Sequence, residues 1–203
     1  MTTLKKFSVL VPFALLLALS ACEESKTPAP APKKTNQYET GMFAIYKMIP
    51  GAHLWSEDAA PIRLESTVSP ESNGQDGKSG FWRASFGSRS RSKMQAYTWS
   101  GMADAPRKVD HGIEESYNPN NRSLQTWDLH FMKVDTDKAF ETAQAHGGKE
   151  LTSKDPKQPV TYVLDWDSQA NQLRWHVMYG ANPSTAKLTV LVDASSGAYL
   201  RKE

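Results

Sequence analysis

Cys22 is the only thiol in the 203-residue chain, and it closes the run Leu19-Ser20-Ala21-Cys22. With no second cysteine there is no internal disulfide, so a covalent modification of the sulfur is the chemistry that its position allows. The five histidines, His53, His111, His130, His146 and His176, show no pair at helical or zinc-finger spacing, and no metal site is expected of them. No Gly-x-Ser-x-Gly elbow, phosphate loop or dinucleotide fingerprint occurs, and Ser100 and Ser196, each before a glycine, read as turn serines. Asp135 and Asp137 could imitate a divalent-cation pair, but helix capping accounts for both with fewer assumptions. The sequence therefore predicts no catalytic residue and no cofactor.

Two constellations could bind something. Ser88-Arg89-Ser90-Arg91-Ser92-Lys93 places Arg89, Arg91 and Lys93 at a predicted hairpin tip, where flexible cations could contact phosphate, lipopolysaccharide or an acidic partner. A solvated turn is the plainer reading of the same residues. The six tryptophans, at 55, 82, 99, 127, 166 and 175, could form a stacking platform for sugar, with Asp165 or Asp167 as an accompanying carboxylate. A small sheet also needs large side chains to fill its core, and period two puts Trp175 with Leu173, Val177 and Tyr179 on the core side. His176 then falls on the polar side, facing solvent.

The residues before Cys22 set its context. Lys5 and Lys6 precede the apolar run Phe7 to Leu19, and small residues stand before Cys22, the layout of a secretory signal over residues 1–21. The apolar run is shorter than the roughly 20 residues of a membrane-spanning helix. Leu19-Ser20-Ala21-Cys22 resembles the lipobox of bacterial lipoproteins. That resemblance implies a diacylglycerol on the Cys22 sulfur, cleavage before Cys22, acylation (palmitate) of the new amino group, and an exported, membrane-anchored product. Glu23 rather than Asp follows Cys22, which in a Gram-negative cell implies the outer membrane facing the periplasm.

Removing Lys5 and Lys6 from 24 basic and 22 acidic side chains leaves a mature chain of 22 each. A chain with no net charge has no broad basic face for nucleic acid, so no nucleic-acid partner is expected. Residues 22–40 carry Pro28, Pro30 and Pro32 among polar residues and read as a tether, semi-stiff and polyproline-like, that lifts a domain from the bilayer.

From residue 41 the pattern repeats. Asp135-Thr-Asp137 supplies caps, Lys138 to His146 has Ala139, Phe140 and Ala143 at helical spacing, and Gly147-Gly148 is expected to stop that helix. Val160 to Trp166, Leu173 to Tyr179 and Lys187 to Asp193 alternate as strands. In the earlier half, Met42 to Met48 and Asp58 to Leu64 read as helical or irregular. Gly80 to Phe86 and Met94 to Trp99 form a hairpin, and a third strand lies around Gly112 to Tyr117. Trp127 to Val134 reads as an extra strand. The fold class predicted is α+β, two tandem units of helix plus antiparallel meander over 41–126 and 127–203.

Asp137 to Gly147, two strands, and Leu188-Thr-Val-Leu-Val-Asp-Ala-Ser-Ser-Gly-Ala-Tyr-Leu200 resemble the PepSY domain over about residues 133 to 203. Residues 41 to 132 lack an equivalent of Asp193-Ala-Ser-Ser-Gly197, so the first unit is a degenerate one, and two units in tandem are similar to the fold of β-lactamase inhibitor proteins. The resemblance implies a non-catalytic module that binds or restrains a peptidase or another envelope protein, with Asp193 and Gly197 as turn formers. The competing expectation is an envelope glycan-binding protein or enzyme using exposed aromatics and a carboxylate.

Overall fold

The computed structural model describes residues 34–203; Cys22, the signal segment and most of the tether lie outside them. Helix α1 runs Gly41–Trp55 and is followed by β1 (Ala60–Thr67), β2 (Phe81–Ser88), β3 (Lys93–Ser100) and β4 (Val109–Ser116). Helix α2 (Thr136–Ala143) and the short α3 (Lys149–Lys154) precede β5 (Thr161–Asp167), β6 (Gln172–Met178), β7 (Thr189–Asp193) and β8 (Tyr199–Lys202). All eight strands form one antiparallel sheet in the order β4-β3-β2-β1-β5-β6-β7-β8. α1 leads one four-stranded meander and α2 with α3 the other, and the meanders run outward from the β1–β5 pair. That seam is narrow, with three paired positions: Arg63 with Asp165, Leu64 with Leu164, and Glu65 with Val163.

The helices cover one face of the sheet. Ala44, Ile45, Met48 and Ala52 of α1 and Ala139 and Ala143 of α2 are buried in one core with Leu64, Trp82, Phe86, Tyr162, Leu164, Trp175, Val177 and Val192. Alternation along the strands sends these large groups to the helices and leaves Arg63, Glu65, Arg83, Asp165, Arg174 and His176 on the opposite face. The two helix starts meet at Asp135. Its Oδ1 accepts from the backbone N–H of Thr136 at 2.7 Å, capping α2, and from that of Met42 at 2.9 Å in the first turn of α1. Two sets of otherwise unpaired helix N–H groups are thereby partly satisfied by one carboxylate. Asp137 Oδ1 accepts from its neighbour Lys138 N–H, so both aspartates serve the backbone.

The structure corrects several local expectations. Residues 58–64 are not helical: they lead into β1, where Pro61 sits beside a register shift, a position at which a strand tolerates a missing N–H. α1 runs past Met48 and through Pro50: the apolar face continues to Ala52, and the carbonyl that loses its helical donor belongs to Tyr46, an exposed residue. Trp127 to Val134 is not a strand. Asp128 caps a 3₁₀ turn at Leu129–Phe131, and Trp127 donates from its backbone to Pro61 O and from its indole to Ile62 O, folding the segment under the sheet. Gly147-Gly148 does not end the helical run. Gly147, at φ 105°, makes a kink after which α3 continues.

Candidate functional site

The uncovered face carries a cross-strand charge pattern built by register. Arg63 on β1 lies opposite Asp165 on β5, which lies opposite Arg174 on β6, which lies opposite Asp193 on β7. One row over, Arg83 on β2 lies opposite Glu65. Unlike charges directly opposite one another in an antiparallel sheet stabilise it, each pair modestly. The contacts follow the register: Arg63 Nη1 reaches Asp165 at 3.1 Å, Arg63 Nε reaches Glu65 at 3.0 Å, and Arg83 reaches Glu65 at 3.3 Å. Arg174 pairs with Asp167 through Nη1, and its Nε stands 3.6 Å from Asp165.

His176 is not solvent-facing. Its Nε2 lies 3.0 Å from Asp165 Oδ1, and its side chain is mostly covered. Burial works against ionisation of Asp165, but the His176 hydrogen bond and the charges of His176, Arg63 and Arg174 outweigh it and hold the carboxyl below its ordinary value of 3.8. A depressed folded-state pKa contributes stability above the unfolded value and loses it as pH falls through the folded value. Asp165→Asn should therefore be less stable than the parent near neutral pH, with the gap closing as pH falls below the ordinary carboxylate value of 3.8. Thermal melts of both proteins across that window check this; a gap that widens on acidification would contradict it.

Beside this network the face opens into a cleft of about 540 Å³. The segment Arg122 to Gln125 and the stretch Asp167 to Gln169 line it together with residues of β1, β2, β3, β5, β6 and β8. Arg63, Arg122, Arg174 and Arg201 line it with Asp165 and Asp167; Glu65 and Glu203 pair with Arg63 and Arg201 from its rim, and Arg122 has no carboxylate partner among the described residues. Met94, Leu124 and Trp166 add apolar wall. Two donors here, Arg174 Nε and Trp166 Nε1, are buried without a hydrogen-bond partner. Planar guanidinium forks against an apolar wall are suited to holding carboxylate or phosphate oxygens by paired hydrogen bonds.

Of the residues singled out from the sequence, Asp165, Trp166 and Asp167 line the cleft and the others lie elsewhere. The hairpin tip is not a set of loose cations. Asp58 accepts from Ser88 Oγ at 2.6 Å and from Ser90 N at 2.8 Å, and these bonds, with those from Ser56 and Ser90 Oγ, push its carboxyl well below the usual range. Arg91 stacks over the Trp55 ring at 5.2 Å, donates to Trp55 O and pairs with Glu114 at 2.5 Å, while Arg89 stays exposed and Lys93 is half-buried in β3. Asp193 Oδ1 accepts from Ser195 N and Ser196 N, both at 2.8 Å, and Gly197 takes φ 78° to close that turn.

The tryptophans do not form a platform. Trp82, Trp99, Trp127 and Trp175 are buried, Trp55 lies under Arg91, and Trp166 packs edge-on against Phe131 with centroids 5.1 Å apart. Asp165 and Asp167 are engaged by arginines rather than set beside an aromatic groove.

Neither a family model nor a curated protein sequence matches the chain. A crystal structure of a presumed lipoprotein from Clostridium difficile 630 is similar in fold, with a TM-score of 0.51 and 14% identity, covering 86% of this chain and 95% of that one. At such identity the likeness is one of architecture: an α+β chain built on this kind of sheet. Among the described residues no helix is long and apolar enough to cross a membrane.

Proposed function

We propose that the protein is an exported, lipid-anchored lipoprotein of the cell envelope whose folded part is a non-catalytic binding module for another envelope protein. The observation that carries this reading is the division of the sheet. One face is closed by α1 and α2 over a single core, while the other presents Arg63, Arg83 and the cleft to solvent. Groups on that face are neutralised in pairs and joined to the sheet, an arrangement suited to recognition by complementary charge. The lipobox-like Leu19-Ser20-Ala21-Cys22 and the proline-rich stretch after it supply anchor and reach, and a protein of similar fold is itself described as a presumed lipoprotein.

Within this reading, residues 133 to 203 form a PepSY-like unit and 41 to 126 a divergent copy. Support comes from the shared order of helix then four-stranded meander and from the Asp193 to Gly197 turn. The likeness lies in arrangement and in that short motif rather than in extended sequence.

The test has two arms. Cys22→Ser should move the protein from the membrane fraction to the soluble fraction and abolish incorporation of labelled palmitate; a variant that stays membrane-bound contradicts the anchor. Crosslinking of the parent in intact cells should trap a defined envelope protein. Turnover of envelope substrates by the purified protein, abolished by one polar substitution, would sink the non-catalytic reading.

A further inference from the structure

We infer that the arginine-lined cleft holds an acidic peptide segment that carries an apolar side chain next to its carboxylates. The inference rests on the binding-module reading above and names the chemistry of the partner's contact. The first ground is an unmatched charge: of the four arginines that line the cleft, Arg63, Arg174 and Arg201 face carboxylates, while Arg122 meets only a backbone carbonyl among the described residues. The attraction is therefore local, which favours one charged segment over an extended polyanion or an anionic membrane.

The second ground is unused donor capacity. Each guanidinium has five N–H donors. Arg122 gives one to Ser168 O at 2.9 Å, and Arg201 directs its Nε and one Nη at Glu203. Arg174 uses Nη1 on Asp167, while its buried Nε has no hydrogen-bond partner. A carboxylate entering the cleft could be gripped by two parallel hydrogen bonds from the exposed guanidinium of Arg122, which spends one donor on Ser168 O.

The third ground is size and wall. About 540 Å³ is far more space than a lone inorganic oxyanion fills, and it falls within the range of clefts that hold small organic groups. Met94, Leu124 and Trp166 would leave that extra space poorly wetted unless an apolar group of the ligand covered them. An acidic peptide with an adjoining leucine-like side chain satisfies both halves.

The experiment uses the full-length protein in detergent and a fluorescein-labelled peptide, Glu-Leu-Asp-Leu-Glu, read by fluorescence anisotropy. A matched Lys-Leu-Lys-Leu-Lys peptide is the charge control, and inorganic phosphate is the competitor. The acidic peptide should bind saturably and weaken as salt rises, and the basic one should not bind. The double variant Arg122→Gln, Arg201→Gln should lose about fivefold or more in affinity, since two charge-assisted contacts are removed. Both side chains are exposed, so the variant should keep the parent's melting temperature. Leu124→Ser should also weaken the acidic peptide without abolishing it.

Equal binding of both peptides, full affinity in the double variant, or displacement by phosphate at peptide-like concentration overturns the inference. A crosslinked envelope partner captured equally by the parent and the double variant would sink the cleft assignment while leaving the binding-module reading standing.

Discussion

Trp175→Ala should lower stability by about 4 kcal/mol, the cost typical of deleting a large buried aromatic and leaving a cavity. For a chain of this size that corresponds to a fall in melting temperature of about 10 °C. Trp175 is fully buried, and its indole donates to Val134 O at 2.8 Å. The far edge of its ring stands where a side chain at Gly41 would begin, 2.7 Å from that position, so one residue of β6 sets the approach of α1. Loss of the ring thus removes packing within the second meander and the surface on which the first helix starts. Trp175→Phe keeps most of the volume and gives up the hydrogen bond, and should cost about 1–2 kcal/mol. Thermal unfolding followed by circular dichroism measures both; an alanine variant within about 1 kcal/mol of the parent would show that the two halves do not share this core.

Gly77→Ala should be nearly as damaging, at about 3 kcal/mol, combining a left-handed backbone with a steric clash. Gly77 has φ 81°, and a Cβ there would stand 2.5 Å from Asp137 Cα and 2.7 Å from the Thr136 carbonyl carbon. Both neighbours are backbone at the start of α2, which cannot swing aside as a side chain could. Thr136 Oγ1, meanwhile, donates to Gly77 O at 2.5 Å and accepts from Gly41 N at 3.1 Å. Pushing the loop away therefore breaks a relay between the two helix starts. Chemical denaturation with urea checks the value, and a midpoint equal to the parent's would refute it. Asp76→Ala, a neighbour whose carboxylate caps its own turn at Lys78 N, is the control expected to change little.

These two positions also show what can be read from a sequence of this kind. Period-two alternation at Leu173, Trp175 and Val177 was enough to assign the buried face, because a strand's geometry fixes which side each residue takes. Asp135 was legible as a cap for the same reason: its role is local. β1 was hidden by Pro61, and the continuation of helix past Gly147 was hidden by a residue that usually ends one. The cleft was hidden by distance. Arg63 and Asp165 stand 102 positions apart and meet only through the β1–β5 register, while Arg122 arrives from an irregular segment. The cations that drew notice, Arg89, Arg91 and Lys93, were conspicuous because they are neighbours in the chain. Arg91 proves to be committed to Trp55 and Glu114, and the arginines of the cleft gather from four separate elements instead.

The narrow seam between β1 and β5 has a kinetic meaning. Each meander joins neighbouring strands, such as β2 to β3 across Ser88 and Lys93, so its hairpins close over short stretches of chain. The seam must bring together positions 102 apart, and closing a loop of about 100 residues costs roughly 4 kcal/mol in chain entropy. The three rungs of Arg63, Leu64 and Glu65 against β5 therefore carry the largest entropic debt in the sheet, and the speed of folding is set at its centre rather than at its edges.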